Sequence, residues 1–240
     1  MNIFEQLNKI WSKDYINDMP GFVKERGFVC SKNDSKMDLL ITGINPSFRE
    51  GENPESFCFD FHETMKETKY DNYWGPLRKI LVDAENEIDL RSRTAYLDIF
   101  YFREKMQGQI RNGILKRPKG IEFLMDQLIV TQKLIEEIIK PKVIIVKNKE
   151  SAAYWGKLSD KGIIWMGYKI VHEETLNCGE LYKIAGLIDS PDRIARDIKI
   201  TNLKNSFILF SVHINQYTKR EKRPTAVIVN DLLNRFNIKS

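Results

Sequence analysis

The chain has 240 residues, 42% of them hydrophobic and 30% charged, with a formal net charge of +5. This balance excludes a disordered chain, and no run approaches the ~18 consecutive apolar residues of a membrane helix. The modest positive charge permits a nucleic-acid partner without requiring one.

A chain of this length buries roughly 70% of the surface it exposes when unfolded, enough for one large domain or two small ones. Residues 2–18 carry Ile3, Phe4, Leu7, Ile10 and Trp11 at helical spacing and predict an amphipathic helix. The region 1–36 is read as a helical lead-in packed on a domain that occupies 37–240. Leu39-Leu40-Ile41 predicts a first strand over about 38–43 that empties into the loop Thr42-Gly43-Ile44-Asn45-Pro46-Ser47. Pro46 fixes its own φ and keeps Asn45 out of the α region, so the loop is stiff. Residues 50–70 show no clear period, which marks a long connection of the kind that carries function. Asp71 or Asn72 caps a helix running to about 83.

Ala95–Tyr101 reads as the second strand. The basic, broken interval 104–119 leads to a long helix over 120–139, with Ile121, Leu124, Leu128, Thr131, Leu134, Ile135, Ile138 and Ile139 on one stripe. Pro141 ends it, and Val143-Ile144-Ile145-Val146 is a buried strand with Lys147-Asn148-Lys149 as its exit. Residues 162–172 read as an edge ribbon and 173–205 as polar and mixed. Ser206–Ser211 is the last strand, followed by His213, the basic run Lys219-Arg220-Glu221-Lys222-Arg223, and a final helix over about 225–236. Strands alternating with helices predict an α/β class: a three-layer α/β/α sandwich around a mostly parallel sheet of about four strands.

Cys30, Cys58 and Cys178 are widely spaced and contain no CxxC pair, so three free thiols in a reducing compartment are expected. The first residues lack a signal-peptide apolar region, and a cytoplasmic location with no membrane association is expected. The three histidines, His62, His172 and His213, give no zinc motif. Neither GxGxxG after a strand nor GxxxxGK[ST] nor GxSxG occurs. No metal and no cofactor are therefore expected. The candidates that remain are polar residues at strand ends: Asn45, Asp98, Asn148 and His213. In a parallel sheet these ends share one edge, where sites are built.

The run Leu39-Leu40-Ile41-Thr42-Gly43-Ile44-Asn45-Pro46-Ser47 resembles the first motif of the uracil-DNA glycosylase superfamily, closest to the mismatch-specific thymine/uracil branch with its Gly-Ile-Asn-Pro-Gly pattern. Tyr73-Trp74-Gly75-Pro76-Leu77 is similar to the helix start that follows the first loop. Ile138-Ile139-Lys140-Pro141-Lys142-Val143-Ile144 is similar to the passage into the third strand. His213 falls where the last strand delivers a second motif. Ser47 stands where the branch has glycine, and His213 is followed by Ile214-Asn215 where the family has Pro-Ser.

The resemblance implies removal of uracil or a related base from DNA by cleavage of its N-glycosidic bond. It implies that Asn45 positions the attacking water and that His213 stabilises the departing base. Gly43, Ile44, Pro46, Ser47, Asp98 and Asn148 would surround the base pocket, with Phe48 or Phe57 stacking on a flipped base. The loop from Ile214 to Arg223 would reach the minor groove, with Lys219, Arg220, Lys222 and Arg223 on DNA phosphates. The expected partner is DNA, and the expected state is a monomer. Two other readings stay open: a non-enzymatic nucleic-acid or protein binding module on the same fold, and a small-molecule hydrolase on that scaffold.

Overall fold

A computed structural model describes residues 1–49, 51–67, 69 and 71–239, the last by its backbone alone. The irregular interval predicted over 50–70 thus includes Glu50, Thr68 and Tyr70, which lie outside the described residues. Helix α1 (Ile3–Trp11) opens the chain, with the Asn2 side chain accepting from the Glu5 N–H as its cap. A 3₁₀ turn (Asp14–Asp18) and α2 (Gly21–Arg26) follow. Next come β1 (Val29–Ser31), β2 (Leu39–Gly43), β3 (Phe57–Phe59), α3 (Phe61–Lys66) and α4 (Trp74–Arg78). A small hairpin, β4 (Val82–Asp83) and β5 (Ile88–Asp89), leads to β6 (Thr94–Asp98). Beyond it lie α5 (Gly108–Asn112), α6 (Gly120–Lys133) and β7 (Val143–Val146). The chain finishes with α7 (Ala152–Trp155), β8 (Tyr168–Leu176), β9 (Gly179–Leu187), β10 (Phe207–Ser211) and α8 (Ala226–Lys239).

The main sheet has six strands in the order β6-β2-β7-β10-β9-β8, which corrects the expectation of about four. Its first four strands run parallel; β9 adds antiparallel to β10, and β8 antiparallel to β9. The two additional strands form a hairpin inside the stretch 173–205 and its approach, where the alternation of apolar residues is broken. Register shifts between Lys169 and Ile170 and between His172 and Glu174 displace the two-residue period, so no regular strand pattern survives in the sequence. The predicted helix over 120–139 is α-helical only to Lys133. It continues as π-helical turns over Leu134–Ile139 and ends with Lys140 in the left-handed region (φ 48°) just before Pro141.

The parallel strands are buried along their whole length because helices cover both faces. On one face Leu40, Leu97, Ile144 and Ile208 pack with Leu7 of α1 and Phe123, Leu124 and Leu128 of α6. On the other, Ile41, Tyr96, Ile145 and Leu209 pack with Phe61 and Met65 of α3, Leu77 of α4, and Leu232 and Leu233 of α8. The lead-in thus contributes core side chains. It also contributes β1, which pairs in parallel with β3 and places Cys30 opposite Cys58. These two cysteines form a disulfide, and Cys178 is free and buried. Three free thiols were expected because 28 residues separate Cys30 from Cys58; only the strand pairing brings them together. Their bond removes that argument for a reducing compartment. Among the described residues, no helix is long and apolar enough to cross a membrane.

Candidate functional site

Strand β2 connects onward to β6 on one side, and β7 lies on its other side, so the strand order reverses at β2. A crevice outside the carboxyl ends of such strands is where open α/β sheets place their sites. Gly43 ends β2 at this point, opposite Asp98 of β6. A Cβ on Gly43 would lie 1.9 Å from Asp98 Oδ1 and 2.9 Å from Lys147 Cε. Glycine is therefore what lets these two oppositely charged side chains cross over the end of β2.

Asp98 and Lys147 are 8% and 6% exposed, and two tyrosines connect them. Lys147 Nζ donates to Tyr73 Oη at 2.5 Å and to Tyr96 Oη at 2.9 Å. Tyr96 Oη donates to Asp98 Oδ1 at 3.0 Å, and the two tyrosine hydroxyls are 2.5 Å apart. The ammonium also lies 4.0 Å from the Tyr73 ring centroid and 4.9 Å from that of Tyr96. Burial pushes the Asp98 carboxyl up to about 6, against the opposing pull of Lys147 and the Tyr96 hydrogen bond. Burial also brings the Lys147 ammonium down to about 8, with Asp98 acting in the other direction. Both tyrosines are held well above their ordinary value, chiefly by burial.

Asp98 lies in the wall of a cleft of about 580 Å³. Phe57, Phe59, Tyr73, Trp74 and Tyr96 supply its aromatic surface. Asp71 sets part of this wall: its Oδ1 accepts from the Tyr73 and Trp74 N–H groups, both at 2.7 Å, and so fixes the start of α4. The rim is acidic, with Glu52, Glu55, Glu67 and Asp71 besides Asp98, against Arg49 and Arg103.

The predicted site residues separate into three groups. Pro46, Ser47, Phe57 and Asp98 line the cleft, with Gly43 beneath it. Asn45, Ile44, Phe48 and Asn148 are outside the lining. The Asn45 amide donates to the carbonyls of Pro46 (3.0 Å) and Glu104 (2.5 Å), so it ties the loop after β2 to the segment after β6. Ile44 is a core residue. Phe48 packs against the Arg26 and Arg103 guanidinium groups, 4.8 and 4.6 Å from its centroid. Asn148 caps the 3₁₀ turn Lys149–Ser151 by accepting from the Glu150 N–H.

The third group is the loop after β10. His213 is exposed, and desolvation together with the Lys147 charge lowers its imidazole pKa. The loop is tied to itself: Asn215 Oδ1 accepts from the Tyr217 and Thr218 N–H groups at 2.8 and 3.0 Å, and Thr218 Oγ1 donates to the His213 carbonyl. Arg223 is spent on this closure, donating to the carbonyls of Gln216 and Thr218. Lys219, Arg220 and Lys222 remain exposed, beside a Tyr217 that is 84% exposed.

Lys147 is the site residue that the sequence reading passed over in favour of its neighbour Asn148. The strand register shows why it belongs to the site: Gly43 pairs with Asp98 and Thr42 with Val146, so Lys147 and Asp98 flank the same glycine. Among the described residues, no group of three or more His, Cys, Asp or Glu is placed to hold a metal ion. No protein-family profile matches this chain, and neither a curated protein nor a solved structure shows detectable similarity to it.

Proposed function

We propose that the protein is a hydrolase that cleaves the N-glycosidic bond of uracil or a related damaged or mismatched base in DNA, seated in the Asp98 cleft. One observation carries this reading: a buried carboxylate with a raised pKa stands in an aromatic cleft at the reversal of strand order, joined to Lys147 through Tyr96. An acid pushed up to about 6 is ionised at neutral pH yet basic enough to take a proton from water. Aromatic walls suit a base taken out of its stack. The resemblance of Gly43-Ile44-Asn45-Pro46-Ser47 to the glycosylase first motif supports the same class.

In this reading Asp98 orients and deprotonates the attacking water, and Lys147 with Tyr96 keeps its carboxylate ionised and fixed. Asn45 acts by holding the loop that carries Pro46 and Ser47. Lys219, Arg220 and Lys222 offer the sequence-independent contacts to phosphate that DNA requires. Two buried, oppositely charged groups bridged by Tyr96 and both shifted toward their neutral forms beside a cleft favour chemistry over binding alone. A second reading is favoured by the acidic rim: Glu52, Glu55, Glu67 and Asp71 would repel a phosphate and suit a free nucleoside or another small N-glycoside.

Single-turnover base release with excess protein tests the proposal. The substrates are labelled duplexes and single strands bearing uracil, G·U, G·T, hypoxanthine or an alkylated base, beside the free nucleosides. Release is expected, with a loss of about 10²–10⁴-fold in Asp98→Asn and smaller losses in Asn45→Ala and His213→Ala. Release from free nucleosides alone selects the second reading. Absence of release from every substrate by folded protein overturns both.

A further inference from the structure

We infer that the cleft selects a base carrying positive charge, an N-alkylated nucleobase, over a neutral base such as uracil; this rests on the reading of the cleft as a base-binding site. The first ground is the arrangement of the rings. Tyr73 and Trp74 meet at 85° with centroids 4.7 Å apart, Trp74 and Tyr96 at 76° and 5.1 Å, and Phe59 and Trp74 at 53° and 5.5 Å. Rings set this way pack edge to face into one angled wall and leave no parallel-sided slot for stacking a neutral plane. Such a wall can still meet a cation through its aromatic surface.

The second ground is charge. Asp98 is more than nine-tenths buried, and its Oδ1 accepts from Tyr96, while Oδ2 accepts from none of the described residues. It lines the cleft and is open to a ligand on that side. Glu55, Glu67 and Asp71 have no ion-pair partner among the described residues. Five carboxylates face two guanidinium groups, Arg49 and Arg103, in the lining. Arg103 pairs with Glu52 at 2.8 Å and donates to the carbonyls of Asn53 and Glu55, and the Lys147 ammonium, outside the lining, is held by the Tyr73 and Tyr96 hydroxyls.

The third ground is the chemistry of departure. A neutral uracil leaves as an anion and needs hydrogen-bond donors to hold its charge. Asn45 and His213, the residues expected to serve that end, do not line the cleft. A cationic N-glycoside leaves as a neutral base. Water attacks C1′ and gives a proton to the Asp98 carboxylate. The C1′–N bond breaks with its electron pair passing to the ring nitrogen, which cancels the positive charge of the base. The proton on Asp98 then returns to solvent.

The test is calorimetric titration of the full chain at pH 7 with 1-methyladenosine, which is cationic, and with its neutral isomer N6-methyladenosine. Affinity about ten-fold higher for the cation is expected, a difference of about 1.4 kcal/mol. The exposed pair Glu55→Gln/Glu67→Gln should narrow that ratio without touching the core, and Trp74→Phe should narrow it by reducing the aromatic wall. Equal affinity, preference for the neutral isomer, or binding of neither overturns the inference. Base release from methylated-purine DNA and uracil DNA separates this from the hydrolase reading. Cation preference without release keeps the ligand class and removes the reaction. Uracil release without cation preference does the reverse.

Discussion

Gly43 holds two side chains in a position that neither favours alone. Asp98 and Lys147 are each taken out of water, and each responds by shifting toward its neutral form. The Asp98 pKa in the folded chain lies above its ordinary 3.8, so its contribution to stability is complete below 3.8 and is lost as pH rises through about 6. The Lys147 pKa lies below its ordinary 10.5, so its contribution is complete above 10.5 and is lost as pH falls through about 8. Between about 6 and about 8 both are charged, and the pair adds least to stability. The double variant Asp98→Asn/Lys147→Met is therefore expected to be more stable than the parent at pH 7, by about 1–4 kcal/mol, and inactive. Each single substitution, which leaves the other charge buried without its counter-charge, is expected to destabilise. Urea unfolding of the three variants at pH 7 checks the order.

Two short elements build the aromatic wall. Helix α4 has only five residues, too few to stand by propensity, so the Asp71 cap decides where Tyr73 and Trp74 sit. Asp71→Ala is expected to cost about 1 kcal/mol and to weaken ligand binding in the cleft; denaturant melts and the nucleoside titration measure the two effects. The β1–β3 ribbon adds Val29, Phe57 and Phe59 to the lining, with Phe59 against Trp74, and the Cys30–Cys58 bond ties the two strands together. A closed loop of this length contributes about 3–4 kcal/mol in the chain-entropy account. Reduction, or Cys30→Ser/Cys58→Ser, is expected to lower Tm by about 10 °C. Thermal melts with and without reductant check this, and an unchanged Tm would show that strand pairing alone holds the ribbon.

At the scale of the molecule, the half of the sheet that builds the site was the legible half. Leu39–Gly43, Val143–Val146 and Phe207–Ser211 are short apolar runs between helical patterns, and buried parallel strands are written that way. Of the hairpin β8–β9, only the start of the edge strand β8 fell within the expected ribbon over 162–172; the rest was not legible, because many of its residues are exposed or half-exposed and two register shifts break the alternation. At the site, the loop after β2 and Asp98 were visible as strand-end residues. Lys147 was not, since a lysine after a strand ordinarily reaches solvent; here Tyr73 and Tyr96, 74 and 51 residues away in sequence, enclose it. The disulfide was hidden for the same reason, being a consequence of tertiary pairing.

The proposed reaction assigns the chemistry of the cleft to Asp98, ionised with the help of Lys147. The most direct measurement is the pH dependence of single-turnover base release in the parent and in Asp98→Asn. The carboxylate is available as a base only above about 6, and the ammonium is protonated only below about 8. A bell with limbs near those values is expected, with the loss of its acid limb in Asp98→Asn and a residual rate about 10²-fold or more lower. An acid limb that persists in Asp98→Asn, or a variant as fast as the parent, would contradict it and place the chemistry on another residue.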